Sequence, residues 1–177
     1  MRPILTGCTA SICVLLLGGC VGGGGGARVT PASAPIVTAV PVALSAAAYV
    51  AAASSIDFYE IQSAQLAMER ARDPANRAFA QRTLEAHRGT SAQLSMAGRR
   101  LNLLPTASLT PEHQAMLDAL RVTSDFDNAY RAQQSILIRQ GISLHGNFAR
   151  AGQSPTLRPV AENAEQVMLQ NWNALRR

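Results

Sequence analysis

The sequence predicts an all-α protein over residues 45–177: a four-helix bundle with a short crossover helix between the second and third long helices. Three observations carry that prediction. Apolar residues recur at spacings of three and four through each long stretch. A capping residue followed by proline occurs at Asp73-Pro74, Thr110-Pro111 and Ser154-Pro155, and proline at a first helical position loses nothing, because its missing N–H has no helical partner there. No strand-type alternation of apolar and polar residues is found in this part of the chain.

Residues 1–19 read as a signal peptide. Arg2 supplies the positive start, and Ile12 to Leu17 form the heart of a short apolar run, too short for a permanent membrane helix, which needs about 20 residues. The run ends in Leu17-Gly18-Gly19-Cys20, which resembles the lipobox of bacterial lipoproteins. That resemblance implies cleavage before Cys20 and lipidation of its thiol and new amino group. The three cysteines, Cys8, Cys13 and Cys20, all lie here, so the body of the chain has no thiol chemistry and no disulfide. Several acyl chains anchor firmly, each buried methylene adding about 0.8 kcal/mol. Val21, rather than aspartate, follows the cysteine; by the same resemblance the protein is expected at the outer membrane, facing the periplasm.

Residues 20–44 then read as the lipidated cysteine and a Gly/Pro/Ala-rich linker. Five consecutive glycines and three prolines leave no period of 2 or 3.6, and nothing repays the backbone entropy of ordering them. Pro41 argues against a central strand in the apolar stretch around it.

The helices follow in order. Ser45 caps a first helix expected over Ala46–Arg72. Asp73 caps a second from Pro74 to about Leu103, before Pro105. Its stripe is Phe79, Thr83, Ala86, Thr90, Leu94, Ala97 and Leu101. Thr110 caps a short third helix to about Val122. Ser124 or Asp125 caps a fourth to about Ala151, with Gly152 as a natural left-handed residue after its end. Its stripe is Phe126, Tyr130, Gln133, Leu137, Gly141, Leu144, Phe148 and Ala151. Ser154-Pro155 opens the last, striped by Leu157, Ala161, Ala164, Met168, Asn171 and Leu175. A short helix in the long connection is the device ferritin-like bundles use in place of a tight turn.

Several pieces carry a resemblance in order and spacing: Tyr49-Val50 through Ala53, Tyr59-Glu60, Gln65-Leu66-Ala67, Phe79 to Arg82 leading to His87, Leu109 to His113, and Phe126 to Tyr130. Over residues 45–177 the chain resembles a family of bacterial outer-membrane proteins with a ferritin-like domain of unknown function, domain of unknown function 4142. The resemblance implies a ferritin-like fold.

Iron-binding bundles of that type use a glutamate from each of two helices and Glu-x-x-His from each of the other two. Glu60, in line with Ile56, Ser63 and Ala67, and His87, beside Ala86, are the candidate ligands for iron or manganese. Leu84 stands three residues before His87, so Glu-x-x-His is absent, and Glu85 points about 200° round the helix from it. Family members often carry a histidine near Ile138 and another near Asn171; both are replaced here. His145 is placed on a different face from Ile138, Glu162 and Glu165 look outward, and His113 is expected in solvent. The reading of the residues is therefore that no metal or other cofactor is bound. Glu60 is a semi-buried carboxylate and His87 a hydrogen-bonded histidine at a helix seam.

The remaining chemistry is thin. All 16 basic residues are arginine, which removes Schiff-base lysines and lysine-dependent phosphate loops. No nucleophile elbow, zinc-protease helix or Cys-x-x-Cys pair occurs, and the glycine run lacks the flanking strand and helix of a phosphate site. The expectation is that the protein is not an enzyme. The 16 arginines outnumber 11 acids but are dispersed and not interleaved with aromatics, so nucleic acid is not a partner. Anionic lipid headgroups or lipopolysaccharide phosphates, drawn by long-range field, fit the charge better than nucleic acid does, and a solvated helical face that uses arginine in place of lysine accounts for it most simply. The leading expectation is a lipid-anchored module contacting envelope proteins; the alternative is a metal-binding or oxidant-handling domain using Glu60 and His87. Ile136, Ile138 and Ile142 widen the apolar arc of the fourth helix and motivate a weak homodimer.

Overall fold

The computed structural model describes residues 44–177 and contains five helices: α1 (Ala46–Arg70), α2 (Pro74–Arg100), α3 (Pro111–Val122), α4 (Phe126–Ala151) and α5 (Arg158–Leu175). Among the described residues there is no strand. The signal peptide, Cys20 and the linker up to residue 43 lie outside the described residues.

Three of the caps form as the sequence requires. The side chains of Ser45, Asp73 and Thr110 accept the N–H groups of Ala48, Ala75 and His113. Asp125 stands at the cap of α4, but its carboxylate accepts from the Asn128 amide instead of a backbone N–H. Ser154 accepts the Leu157 N–H, yet residues 155–157 are only a turn and α5 begins at Arg158. The reason is Pro159: a helix starting at Pro155 would need its N–H to bond the Pro155 carbonyl, and proline has none.

Two helices stop earlier than the sequence predicts. After Arg70 the chain turns extended, because the Asp127 carboxylate draws in the N–H groups of Arg72 and Asp73. Arg70 itself reaches across to the carbonyls closing α3. Past Arg100, α2 closes with Leu103 N–H on the Gly98 carbonyl and Asn102 N–H on that of Arg99, Asn102 taking a left-handed φ of 56°. This is the doubly bonded helix stop that asparagine tolerates. Gly152 is not left-handed: at φ −63° and ψ 140° it is extended, and what it supplies is space, since a Cβ there would lie 2.5 Å from the Phe148 carbonyl oxygen.

Cross-helix contacts set the directions. Tyr49 meets His145 and Phe148, Glu60 meets Gln134, and Arg70 lies over Phe126, so α1 and α4 are antiparallel. His87 meets Asn171 and Gln93 meets Asn163, so α2 and α5 are antiparallel too. Each connected pair, α1 with α2 and α4 with α5, also runs antiparallel. Hence α2 and α4 point the same way, and the chain must travel back along the bundle between them. The segment holding α3 does this along α1, with His113 beside Ser55 and Arg121 beside Gln62.

Two apolar clusters fill the interior. One joins Tyr49, Val50, Leu94, Phe148 and Leu157 near the start of α1. The other joins Ile56, Tyr59, Phe79, Leu117, Leu120, Tyr130 and Leu137, among others. All six stripe positions of the last helix are buried. On α4 the stripe is rotated from the expected one: Gln133 and Leu144 are half-buried and Ala151 is exposed, whereas Gln134, Ile138 and His145 are buried. Contact with both α1 and α5 makes the inner face of α4 wider than a single seam.

Candidate functional site

Between those clusters the interior is polar. Along α1, Asp57 and Glu60 follow Ala53 of the first cluster; along α2, Thr90 and His87 stand between Leu94 and Leu84. Glu60, Asp57 and His87 are all buried.

His87 Nδ1 lies 2.8 Å from Asp57 Oδ1, and Thr90 Oγ1 donates to the same oxygen at 2.7 Å. The other ring nitrogen, Nε2, faces the Asn171 amide nitrogen at 3.3 Å. With the Asp57 carboxylate ionised, Nδ1 carries a proton, and in the neutral imidazole Nε2 accepts from Asn171. Burial alone would lower the His87 pKa. The Asp57 hydrogen bond and the charges of Glu60 and Asp57 outweigh it and raise the value.

Beside this pair, Gln134 Nε2 donates to Glu60 Oε2 at 2.7 Å and contacts Ser63 Oγ at 3.2 Å. Burial pushes the Glu60 carboxyl above the usual carboxylate range, with the His87 charge and the Gln134 bond pulling back. Glu60 Oε1, Gln134 Oε1, Tyr130 Oη and Thr83 Oγ1 are buried without a hydrogen-bond partner. Burial and the Glu60 charge raise the Tyr130 phenol.

Two further histidines are interior. Tyr49 Oη sits 3.0 Å from His145 Nδ1, and burial pushes the His145 pKa down to about 4. The ring is therefore neutral, and its tautomer sets which of the two groups donates in this hydrogen bond. The expectation that His145 and Ile138 occupy different faces is corrected: seven residues are nearly two full turns, and both point inward. His113 is likewise not in solvent. It is 7% exposed, bonded to Ser55 Oγ at 2.7 Å, because α3 lies along α1; burial lowers its pKa.

Glu60 is fully buried and His87 is hydrogen-bonded at a helix seam. Glu85 and Glu162 are exposed, and Glu165 is paired with Arg150 at 3.3 Å. The donor set does not fit an iron or manganese centre. Both His87 nitrogens are engaged, Asp57 Oδ1 already accepts twice, Ile138 contributes an aliphatic side chain, and the layer leaves only Glu60 Oε1 and Asp57 Oδ2 as carboxylate oxygens without a hydrogen bond. Among the described residues no group of three or more His, Cys, Asp or Glu is placed to hold a metal ion. Sequence reasoning missed Asp57 and Gln134, and placed Thr90 on the α2 stripe without giving it a polar partner. The signal was present for Asp57, which shares the line Ala53, Asp57, Glu60, Ala64 at helical spacing.

On the surface, a groove of about 1050 Å³ follows α4, with Ile136, Leu144 and Phe148 in its wall, Arg139 and Arg150 at its sides and Leu44 at its end. Ile136 is 43% exposed, but Ile138 is fully buried, so it belongs to the core and not to any outer apolar face. No helix among the described residues is long and apolar enough to cross a membrane.

These features define an all-helical domain with a buried polar layer and an open apolar groove. The chain belongs to the family described as Domain of unknown function (DUF4142), whose model matches residues 31–177. No curated protein and no solved structure matches it.

Proposed function

We propose that this protein is a lipid-anchored module facing the periplasm from the outer membrane, built on a ferritin-like four-helix bundle, and that it works by contacting envelope proteins without catalysis. The observation that carries this reading is the groove along α4, an apolar floor with arginines beside it. An open apolar groove of this size is a usual mark of a binding surface. The parallel course of α2 and α4, bridged by a returning segment, supports the ferritin-like assignment. The self-pairing of Asp57, Thr90, His87 and Asn171 gives the interior a structural task, that of holding α1, α2 and α5 in one register.

A photo-crosslinking amino acid at Ile136 tests the contact role in the intact envelope. A discrete protein adduct there, absent from the same probe at Met68, is expected; no adduct at either position refutes it. Cys20→Ser tests the anchor, and continued incorporation of labelled fatty acid in that variant refutes lipidation at Cys20. The groove also fits a weak homodimer through Ile136, for which a monomeric sedimentation profile at high micromolar concentration is the refuting result. The metal-dependent reading is favoured by one feature, the unpartnered Oε1 of Glu60 in a layer shared with His87. It gains force only if protein from the periplasm carries near-stoichiometric iron or manganese that Glu60→Ala and His87→Ala abolish.

A further inference from the structure

The helix directions bring four termini to one end of the bundle: the start of α1, the ends of α2 and α4, and the start of α5. The first cluster, in which Tyr49 and Val50 pack with Leu94, Phe148 and Leu157, lies at this end. Here the chain enters from the amino-terminal side, and here arginines from three helices gather: Arg99 and Arg100 in the last turn of α2, Arg150 in that of α4, and Arg158 at the start of α5.

Their charges are unevenly offset. Arg150 is paired with Glu165. Arg158 Nε donates to the Ala149 carbonyl, which fixes the side chain without neutralising it. Arg99 and Arg100 are exposed and have no acid partner among the described residues. Glu162 is the exposed acid that counts against the patch.

The same end also exposes large apolar side chains. Met96 is 61% and Leu104 66% exposed, on either side of the arginine pair, and Leu44 stands at the chain entry. A cleft of about 530 Å³ between the end of α2 and the start of α5 has Met96, Arg100, Pro159 and Val160 in its wall. Guanidinium groups and long apolar side chains presented side by side match an interface whose outer layer is phosphate and whose inner layer is hydrocarbon.

We infer that this end of the bundle seats on an anionic bilayer surface, Arg99 and Arg100 meeting lipid phosphates while Met96 and Leu104 enter the headgroup boundary. The direction of approach rests on the anchoring proposed above. Cys20 stands 24 residues before Leu44, so an anchored lipid lies within about 80 Å of this end even at full extension.

The test uses the chain from residue 20 with Cys20→Ser, so that no lipid contributes. Both apolar clusters draw only on residues between Tyr49 and Leu175, and the truncated chain retains all of them. Flotation with phosphatidylcholine vesicles containing phosphatidylglycerol should recover the protein, and phosphatidylcholine vesicles alone should not. Arg99→Gln with Arg100→Gln should weaken binding roughly tenfold to thirtyfold, whereas Arg176→Gln with Arg177→Gln, the same charge loss at the opposite end, should change it less than twofold. This chain has no other cysteine, so an environment-sensitive dye on Leu104→Cys reports that position alone. Its emission should shift to the blue on anionic vesicles. Absence of flotation, equal flotation with neutral vesicles, an equal effect of the two arginine pairs, or an unshifted dye each overturns the inference. The anchor is read separately by fatty-acid labelling, so either can fail without the other.

Discussion

Asp57 and His87, thirty residues apart in the chain, meet at 2.8 Å inside the bundle, and both are buried. The contact ties α1 to α2, and Thr90 and Asn171 extend it within α2 and on to α5. Removing one partner strands the other in a dry interior, which typically destabilises by about 3–5 kcal/mol. Asp57→Ala is therefore expected to lower unfolding stability by roughly 3 kcal/mol in urea titration. A double-mutant cycle of Asp57→Asn with His87→Gln should show coupling above about 1 kcal/mol. Additive single effects would mean that the pair does not hold the helices together.

Glu60 presents the opposite sign. Burial raises its pKa in the fold, so the unfolded chain gives up this proton at lower pH. Its contribution is fully present below the unfolded value of 4.5 and is lost as pH rises through the folded value. His87 is raised as well, and its contribution likewise declines as pH rises through its folded pKa. Glu60→Gln keeps the shape and an acceptor for Gln134 without a buried charge. It should be more stable than the parent at pH 8, and the difference should narrow toward pH 4.5. A variant less stable than the parent at pH 8 would show that the carboxylate charge itself is needed.

His145 behaves as a buried neutral imidazole. Its folded pKa of about 4 lies below the unfolded 6.5, so its contribution is fully present above pH 6.5 and is lost as pH falls from 6.5 toward 4. Over that window the wild-type chain should lose more stability than His145→Gln, by an amount on the order of 3 kcal/mol. Imidazole NMR signals should show no titration of His145 down to pH 5. Titration near pH 6.5 would place the ring in water.

The two glycines of α2 should respond in opposite directions. A Cβ at Gly98 would stand 2.1 Å from the Leu103 carbonyl oxygen, so Gly98→Ala must break the stop that ends the helix. A loss of about 2 kcal/mol or more is expected in thermal or urea unfolding. At Gly89 nothing lies within 4 Å of the added atom. Gly89→Ala should stabilise by about 0.5–1 kcal/mol, because alanine loses less backbone freedom in a helix. The same sign for both would contradict the packing at the end of α2.

What the sequence determined by itself is local. Ser45, Asp73 and Thr110 cap helices because a side-chain oxygen needs only the next two or three N–H groups to do so. The α5 stripe was legible because that helix presents one narrow apolar line. Glu60 and His87 were readable as interior polar groups from their place in or beside such stripes. Their partners were not. Asp57 and Thr90 lie on inward-facing lines of their helices, but that they meet His87, and that Gln134 meets Glu60, followed only from the rotation and register of neighbouring helices. His113 became buried only because the returning segment lies along α1. Even the start of α5 depended on a proline four residues past the one that seemed to open it. Helix formation is set within a few residues along the chain. The identity of a buried polar group's partner depends on which helices pack together and at what height, and periodicity in one helix carries no information about either.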